Sequence, residues 1–245
     1  MSIIAAAALA ACSSAPEIVT DIPSQSFKAP KGGIVQAFMI NHGSVGFAYK
    51  DLMVQVDPVG NYGGKQIDYS SLPKADLVLV CHEHGDHLDP AIIKEISKEG
   101  TVVACNAASA PKLEGAVVMG NGDTKTLAGI EVNAVPAYNI SEGHTRFHPK
   151  GNGNGYVFTL GGLVIYVAGD TEDIDEIAEL KGRVDVAFLP VNQPYTMTVE
   201  QCIKATRALC PKVLVPYHLG DTDIQAIKDG LAGSGIEVYL FESLR

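Results

Sequence analysis

Three histidines and an aspartate fall within six consecutive residues, His82-Glu83-His84-Gly85-Asp86-His87. Neutral imidazole and carboxylate are the ligands that zinc takes in catalytic sites. In extended chain, residues i and i+2 point to the same side, so His82 and His84 can grip one ion as a pair. Asp86 continues that row beyond the turn at Gly85. His87 starts a new direction and can face a second ion together with Asp86. The competing reading is a solvated histidine-rich loop, which would have to gather four ligand-type residues at a strand end by chance.

The flanking residues position this stretch. Asp76-Leu-Val-Leu-Val-Cys81 is an apolar run that reads as a buried parallel strand. Behind the stretch, Leu88-Asp89-Pro90 opens a helix, with Asp89 as N-cap and Pro90 at the first helical position. The ligands therefore sit in a loop at the carboxyl end of a strand, where open α/β sheets place their chemistry.

Along the rest of the chain, strands and hairpins followed by helices occur twice. Residues 33–39 and 46–56 predict an opening antiparallel pair, with His42 between them. A helix follows over 90–98, a strand over 101–105, a short helix over 107–113 and short strands over 117–119, 125–127 and 130–135. A long irregular loop, 136–154, holds Asn139, His144, His148 and Lys150; loops of that length are usually functional or disordered. Residues 155–160 and 163–168 form a hairpin across Gly161-Gly162, ending at Gly169-Asp170-Thr171. A helix over 173–180, a strand over 184–189, a helix capped by Thr198, a strand over 212–216 ending at Tyr217-His218, a helix over 222–232 and a strand over 236–241 complete the chain.

The 245 residues suffice for one large α/β domain. Hydrophobic residues make up 47% and charged residues 19%, which suits a well-filled core. A net charge of −10 argues against a basic groove tracking nucleic-acid phosphates. Cys81, Cys105, Cys202 and Cys210 show no framework spacing, so no disulfide scaffold is expected. The first eleven residues are small and apolar and end at Cys12, which resembles a bacterial lipoprotein signal without its basic n-region. On that reading, residues 1–32 are a lipoprotein-type signal and tether, and 33–245 are one catalytic domain. The protein would then be lipid-anchored in the bacterial cell envelope or periplasmic; the alternative is a cytoplasmic protein with an apolar N-terminus.

His82-x-His84-x-Asp86-His87 followed by Leu88-Asp89, then Gly169-Asp170-Thr171, then His218, resembles the metallo-β-lactamase superfamily. The residues His42-Gly43-Ser44-Val45, Asp57-Pro58, Pro136-Ala137-Tyr138-Asn139 and His148-Pro149-Lys150-Gly151 are most similar to its L-ascorbate-6-phosphate-lactonase-like group. The resemblance implies a four-layer αββα sandwich of two mixed β-sheets with helices outside. It implies one metal on His82, His84 and a third histidine, a second on Asp86, His87 and His218, and Asp170 bridging both. Asn139 stands where many members carry the third histidine, and the His-Pro-Lys-Gly pattern favours His148 over His144. The cofactor implied is a pair of Zn2+ ions, with Mn2+ or Fe2+ as alternatives.

Two such ions roughly 3.5–4 Å apart lower the pKa of a shared water toward ~7 and make hydroxide available at neutral pH. The function expected is hydrolysis of an ester, lactone or phosphodiester bond of a small or lipid-derived substrate. Asp86 is expected to orient the attacking hydroxide. His42 is expected to serve catalysis as a hydrogen-bond partner behind the ligands, the alternative being a satisfied structural histidine, with Lys150 and Tyr195 binding substrate. A nuclease or β-lactamase on the same site and a non-catalytic metal-binding surface protein are the alternatives. The acidic charge speaks against the nuclease, and the full ligand set against the non-catalytic protein.

Overall fold

The apolar run before the histidine stretch is buried on both faces. Leu77 and Leu79 enter one core cluster while Val78 and Val80 enter another. That is why the run shows no polar alternation. In the computed structural model, which describes residues 17–245, this strand, Ala75–Val80, lies inside a seven-stranded mixed sheet. The spatial order is Val117–Val118, Ser97–Cys105, Ala75–Val80, Leu52–Val56, Ser44–Tyr49, Ile34–Asn41 and Ser24–Lys28. The first four strands run parallel and the rest are joined by antiparallel pairs.

A second seven-stranded sheet repeats the plan. Its order is Thr124–Leu127, Ile130–Ala137, Gly153–Leu160, Leu163–Val167, Val186–Pro190, Val213–Tyr217 and Glu237–Val238. The hairpins pair antiparallel and the later strands parallel. The inner faces of the two sheets make one core, pinned where Phe47 meets Phe158 and Phe188 edge to face, each at 5.3 Å. Pro90–Ile96 covers the outer face of the first sheet through Ile93 and Ile96. Asp175–Ala178, Val199–Leu209 and Ile224–Gly230 cover the second through residues such as Ile177, Cys202, Leu209 and Ile227. The αββα sandwich is as expected. Among the described residues no helix is long and apolar enough to cross a membrane.

Local signals hold at the helix starts. Asp89 accepts the N–H groups of Ala91 and Ile92, and Thr198 closes a capping box with Gln201. Several expectations need correction. The run over 46–56 is two strands, because the chain reverses at Lys50-Asp51 with Lys50 at φ 54°. Only Asp175–Ala178 is helical within 173–180, only Ala110–Lys112 forms a 3-10 turn within 107–113, and only Glu237–Val238 pairs within 236–241.

The tether boundary at residue 32 also fails. Ser24–Lys28 is the edge strand of the first sheet, in register with Ile34–Phe38, and Phe27 packs against Tyr239 at 6.3 Å. Its alternation of exposed and half-buried positions is what an edge strand requires. Glu17–Val19 pairs parallel with Lys65–Ile67 in a small third sheet that also contains Asn61–Tyr62. Cys12 and its lipoprotein reading lie outside the described residues.

Candidate metal centre

The histidine stretch leaves the first sheet beside Cys81, whose N–H donates to Asp57 Oδ1 at 2.7 Å. His87 and Leu88 both donate their N–H to the His84 carbonyl, at 3.0 and 2.9 Å. That turn sends His87 in a direction different from His82 and His84. Asp170 arrives from the second sheet after Gly169, which adopts φ 65°. A β-carbon there would sit 2.6 Å from the Asn154 carbonyl oxygen, so only glycine lets the strand end pass. His218 follows the strand Val213–Tyr217, and its N–H donates to the His42 carbonyl at 3.1 Å. That bond ties the two halves of the sandwich together at the site.

The potential ligand atoms fall into three compact groups, each within 4.8 Å: His82, His84 and His148; His42, Asp86 and His218; His82, His87 and Asp170. Asp170 is central. Its carboxylate lies 3.2 Å from His148 Nε2, 3.2 Å from His218 Nε2, 3.3 Å from His87 Nε2 and 3.9 Å from His82 Nε2. Asp86 Oδ2 lies 3.5 Å from His218 Nε2 and 3.6 Å from His42 Nε2.

A test of fit for divalent cations is whether these atoms have other partners. Nε2 of His42, His87, His148 and His218 and Oδ1 of Asp170 are buried without a hydrogen-bond partner. Buried polar atoms in folded proteins are nearly always paired, so orphans converging on one point mark the place of a missing positive charge. The donor set, imidazole and carboxylate only, suits borderline divalent metals. The residues fit the ions.

Their charges agree. Burial opposes charge on His42 and lowers its pKa to about 4; it likewise lowers His82 and, with His148 beside it, His84. These imidazoles are neutral and ready to ligate at pH 7. Burial also works against charge on His218, but the Asp170 and Asp86 carboxylates beside it outweigh it and push its pKa up to about 9. Burial opposes ionisation of Asp170, but His218 and His87 hold it well below the usual carboxylate range. A metal must therefore displace a proton from His218. Loading at pH 7.5 is expected to release protons, and the release should fade as pH rises through about 9, where His218 is already neutral. Calorimetric titration of metal in buffers of different ionisation enthalpy measures this; no buffer dependence at pH 7.5 contradicts it.

His148 stands beside His82 and His84, as the His-Pro-Lys-Gly pattern favours. The loop closes on itself: the Asn139 N–H donates to the His148 carbonyl at 2.9 Å, and Asn139 Nδ2 and His148 Nδ1 both meet the Tyr195 carbonyl, at 2.7 and 3.0 Å. Asn139 thus holds His148 in place. His144 is elsewhere, with Nδ1 3.0 Å from Glu172 Oε1. His148→Ala is expected to bind less metal per chain than wild type, whereas His144→Ala keeps the wild-type content; plasma emission analysis of the purified variants decides between them.

His42 joins the ligand group with Asp86 and His218, in the place the resemblance assigns to His87. His87 lies between the groups, and its Nδ1 is committed to Asp57 Oδ2 at 2.7 Å. Gly43 makes room for this ring, since a β-carbon there would lie 2.9 Å from His87 Cε1. Lys150 is not at the site. Its Nζ bonds Tyr138 Oη at 2.9 Å and Glu176 Oε1 at 3.1 Å, so the expected substrate contact is corrected. Tyr195 does line the adjoining cavity of about 460 Å³, with Tyr62, Phe147 and Asn192, which sequence reasoning had not singled out for the site. Asp57 was noticed only as part of an Asp-Pro pattern. Its distance from His87 in the chain hid the contact.

A family model described as a beta-lactamase superfamily domain matches residues 38–218. A UPF0173 metal-dependent hydrolase of Pyrococcus furiosus is 36% identical over 176 residues, covering 69% of this chain and 75% of that one. A counterpart from Pyrococcus abyssi is 37% identical over 150 residues, covering 58% of this chain and 66% of its own length. The crystal structure of a chain from Parabacteroides distasonis described as a metal-dependent hydrolase is 48% identical. It covers 91% of this chain and 99% of that chain, with a TM-score of 0.86.

Proposed function

The chain belongs to the metallo-β-lactamase superfamily and is a metal-dependent hydrolase, and from that premise we propose that it hydrolyses an ester, lactone or phosphodiester bond of a small or lipid-derived substrate using two zinc ions. The observation that carries the reading is the convergence of partnerless buried nitrogens and carboxylate oxygens around Asp170. His82, His84 and His148 would hold one ion, and His42, Asp86 and His218 the other, with Asp170 between them and His87 Nε2 facing it. Bound there, the ions would acidify a water and polarise the substrate oxygen.

The chain's own groups do the rest. Asp86 lines the cavity. Burial disfavours its charge, but His87 and the nearby His218 and His42 rings keep it ionised. Asp86 Oδ2 can therefore accept a hydrogen bond from the attacking water and aim it. The Asp57 carboxylate accepts the Nδ1 proton of His87 and so fixes Nε2 as the nitrogen turned toward Asp170. Tyr62, Phe147 and Tyr195 line the cavity beside these groups.

The test combines metal content with a panel of a lactone, a carboxylic ester, a thioester, a phosphodiester and a cephalosporin. Two zinc ions per chain and turnover of at least one substrate, lost in Asp86→Ala, are expected. Fewer than one metal in zinc-replete protein with no turnover would sink the reading. Anchoring in the cell envelope through lipid on Cys12 belongs to the same proposal. Recovery of the intact protein, with its first residues retained, in the soluble cytoplasmic fraction rejects that part.

A further inference from the structure

Beyond the ligands, the cavity is built almost wholly from aromatic faces. Tyr62 stacks on the His42 ring at 3.9 Å and 24°, on the side of the His42–Asp86–His218 group. Phe147 and Tyr195 meet edge to face at 5.0 Å on the side of His148. Tyr195 is 44% exposed, an apolar surface left open at the mouth. The three rings come from three separate segments: the strand Asn61–Tyr62, the loop that carries His148, and the turn after Val186–Pro190. Nothing in local sequence would gather them.

No lysine or arginine lines this cavity. Two cations, Lys150 and Arg146, lie near it without lining it. Lys150 is bound to Tyr138 and Glu176, and Arg146 lies exposed over the Phe147 ring, 4.7 Å from its centre. The only charged side chains in the lining are Asp86 and Asp170, apart from any charge on the histidines, and both belong to the ligand groups. A phosphate or carboxylate carried on the substrate away from the reacting bond would find no guanidinium or ammonium to pair with. Besides the Tyr62 and Tyr195 hydroxyls, one neutral polar side chain lines the cavity, that of Asn192. The Asn192 backbone is used by the turn, its N–H donating to Thr196 Oγ1 and its carbonyl accepting from Tyr195 and Thr196. The Asn192 side-chain amide makes no hydrogen bond among the described residues and lies against Gly220, where a β-carbon would come within 2.4 Å of Oδ1.

We propose that the substrate is an uncharged lactone or carboxylic ester whose non-reacting part is a flat or apolar ring, held between Tyr62 and the Phe147–Tyr195 pair with its neutral oxygen on the Asn192 amide. This rests on the hydrolase reading and narrows it to one bond type. Water adds to the carbonyl carbon, the acyl C–O bond breaks, and the leaving oxygen takes a proton, so that acid and alcohol are the products. Mostly apolar walls with one or two placed polar groups are the usual composition of sites for such ligands.

The experiment uses the full-length, zinc-loaded protein with dihydrocoumarin, phenyl acetate, bis(p-nitrophenyl) phosphate and p-nitrophenyl phosphate. kcat/KM for the first two is expected to exceed that for the phosphates by at least about tenfold. Tyr62→Ala and Phe147→Ala should each raise KM for dihydrocoumarin by about three- to tenfold, the scale of one aromatic contact, with metal content unchanged. Asn192→Ala should raise KM in the same sense. Coumarin binding, read by saturation-transfer NMR, provides a measurement independent of turnover and should weaken in the same variants. Phosphates turned over as well as the lactone, or coumarin bound equally by wild type and both aromatic variants, would overturn the inference. If no substrate is turned over although two metals are bound, the hydrolase reading fails by itself. Coumarin binding by wild type that is lost in the aromatic variants then still supports the ring site, and its absence rejects it.

Discussion

Asp170→Ala is expected to leave the folded protein with less than half of its metal and to lower kcat/KM on the order of a thousandfold. The expectation follows from position. Asp170 is 3% exposed, and four imidazoles approach its carboxylate between 3.2 and 3.9 Å. It is the one acidic group common to both sides of the centre. Removing it takes away a ligand atom and leaves His218 and His87 without the charge that raises their pKa against burial. The rate factor is on the scale found when one electrostatic stabiliser is removed from a desolvated site. Metal analysis and steady-state kinetics on the same preparation check it, with circular dichroism to confirm folding. Full metal content in the variant would show that Asp170 is not shared between the ions.

The second large effect is expected at Asp57, which touches no ligand cavity. Its carboxylate is fully buried and makes two bonds, accepting the Cys81 N–H and holding His87 Nδ1, each at 2.7 Å. Asp57→Ala removes one partner of a buried pair, a loss of about 3–5 kcal/mol. For a chain of this size that corresponds to a drop in Tm of roughly 6–20 °C. Asp57→Asn is more informative. In one orientation the new amide NH2 faces His87 Nδ1, which must then give up its proton and leave it on Nε2, where it blocks ligation. In the other orientation the NH2 faces the Cys81 N–H, two donors in contact. Metal affinity should fall about 10–100-fold even where folding is preserved. Calorimetry for Tm and competition with a chelator for affinity separate the two effects. An Asn variant that binds metal like wild type would reduce Asp57 to a packing role.

Much of this was legible without coordinates, and the reason differs between elements. The strand before the histidines could be read because burial on both faces suppresses polar alternation, and the cap residues Asp89 and Thr198 act through bonds that span only three residues. The ends of the helix over 173–180 and the strand over 236–241 were misjudged because pattern alone does not say where neighbours stop supplying partners. The edge strand Ser24–Lys28 was read as tether because it is polar on one face and depends on Ile34–Phe38 for its hydrogen bonds. Lys150 was assigned to substrate because its partners, Tyr138 and Glu176, lie 12 and 26 residues away.

The sequence by itself determined that a metal is bound, since His82, His84, Asp86 and His87 are close through chain connectivity and strand geometry alone. It also pointed to the sandwich, through the family resemblance that the motif residues carry. Only the tertiary structure shows which residues meet at the candidate centre. His148 over His144, His42 beside Asp86 and His218, and Asp57 behind His87 are all meetings of chain segments that short-range propensity does not bring together. They exist because two sheets pack face to face and bring their strand ends to one edge. The six residues from 82 to 87 carry half of a centre, and the second sheet supplies the other half.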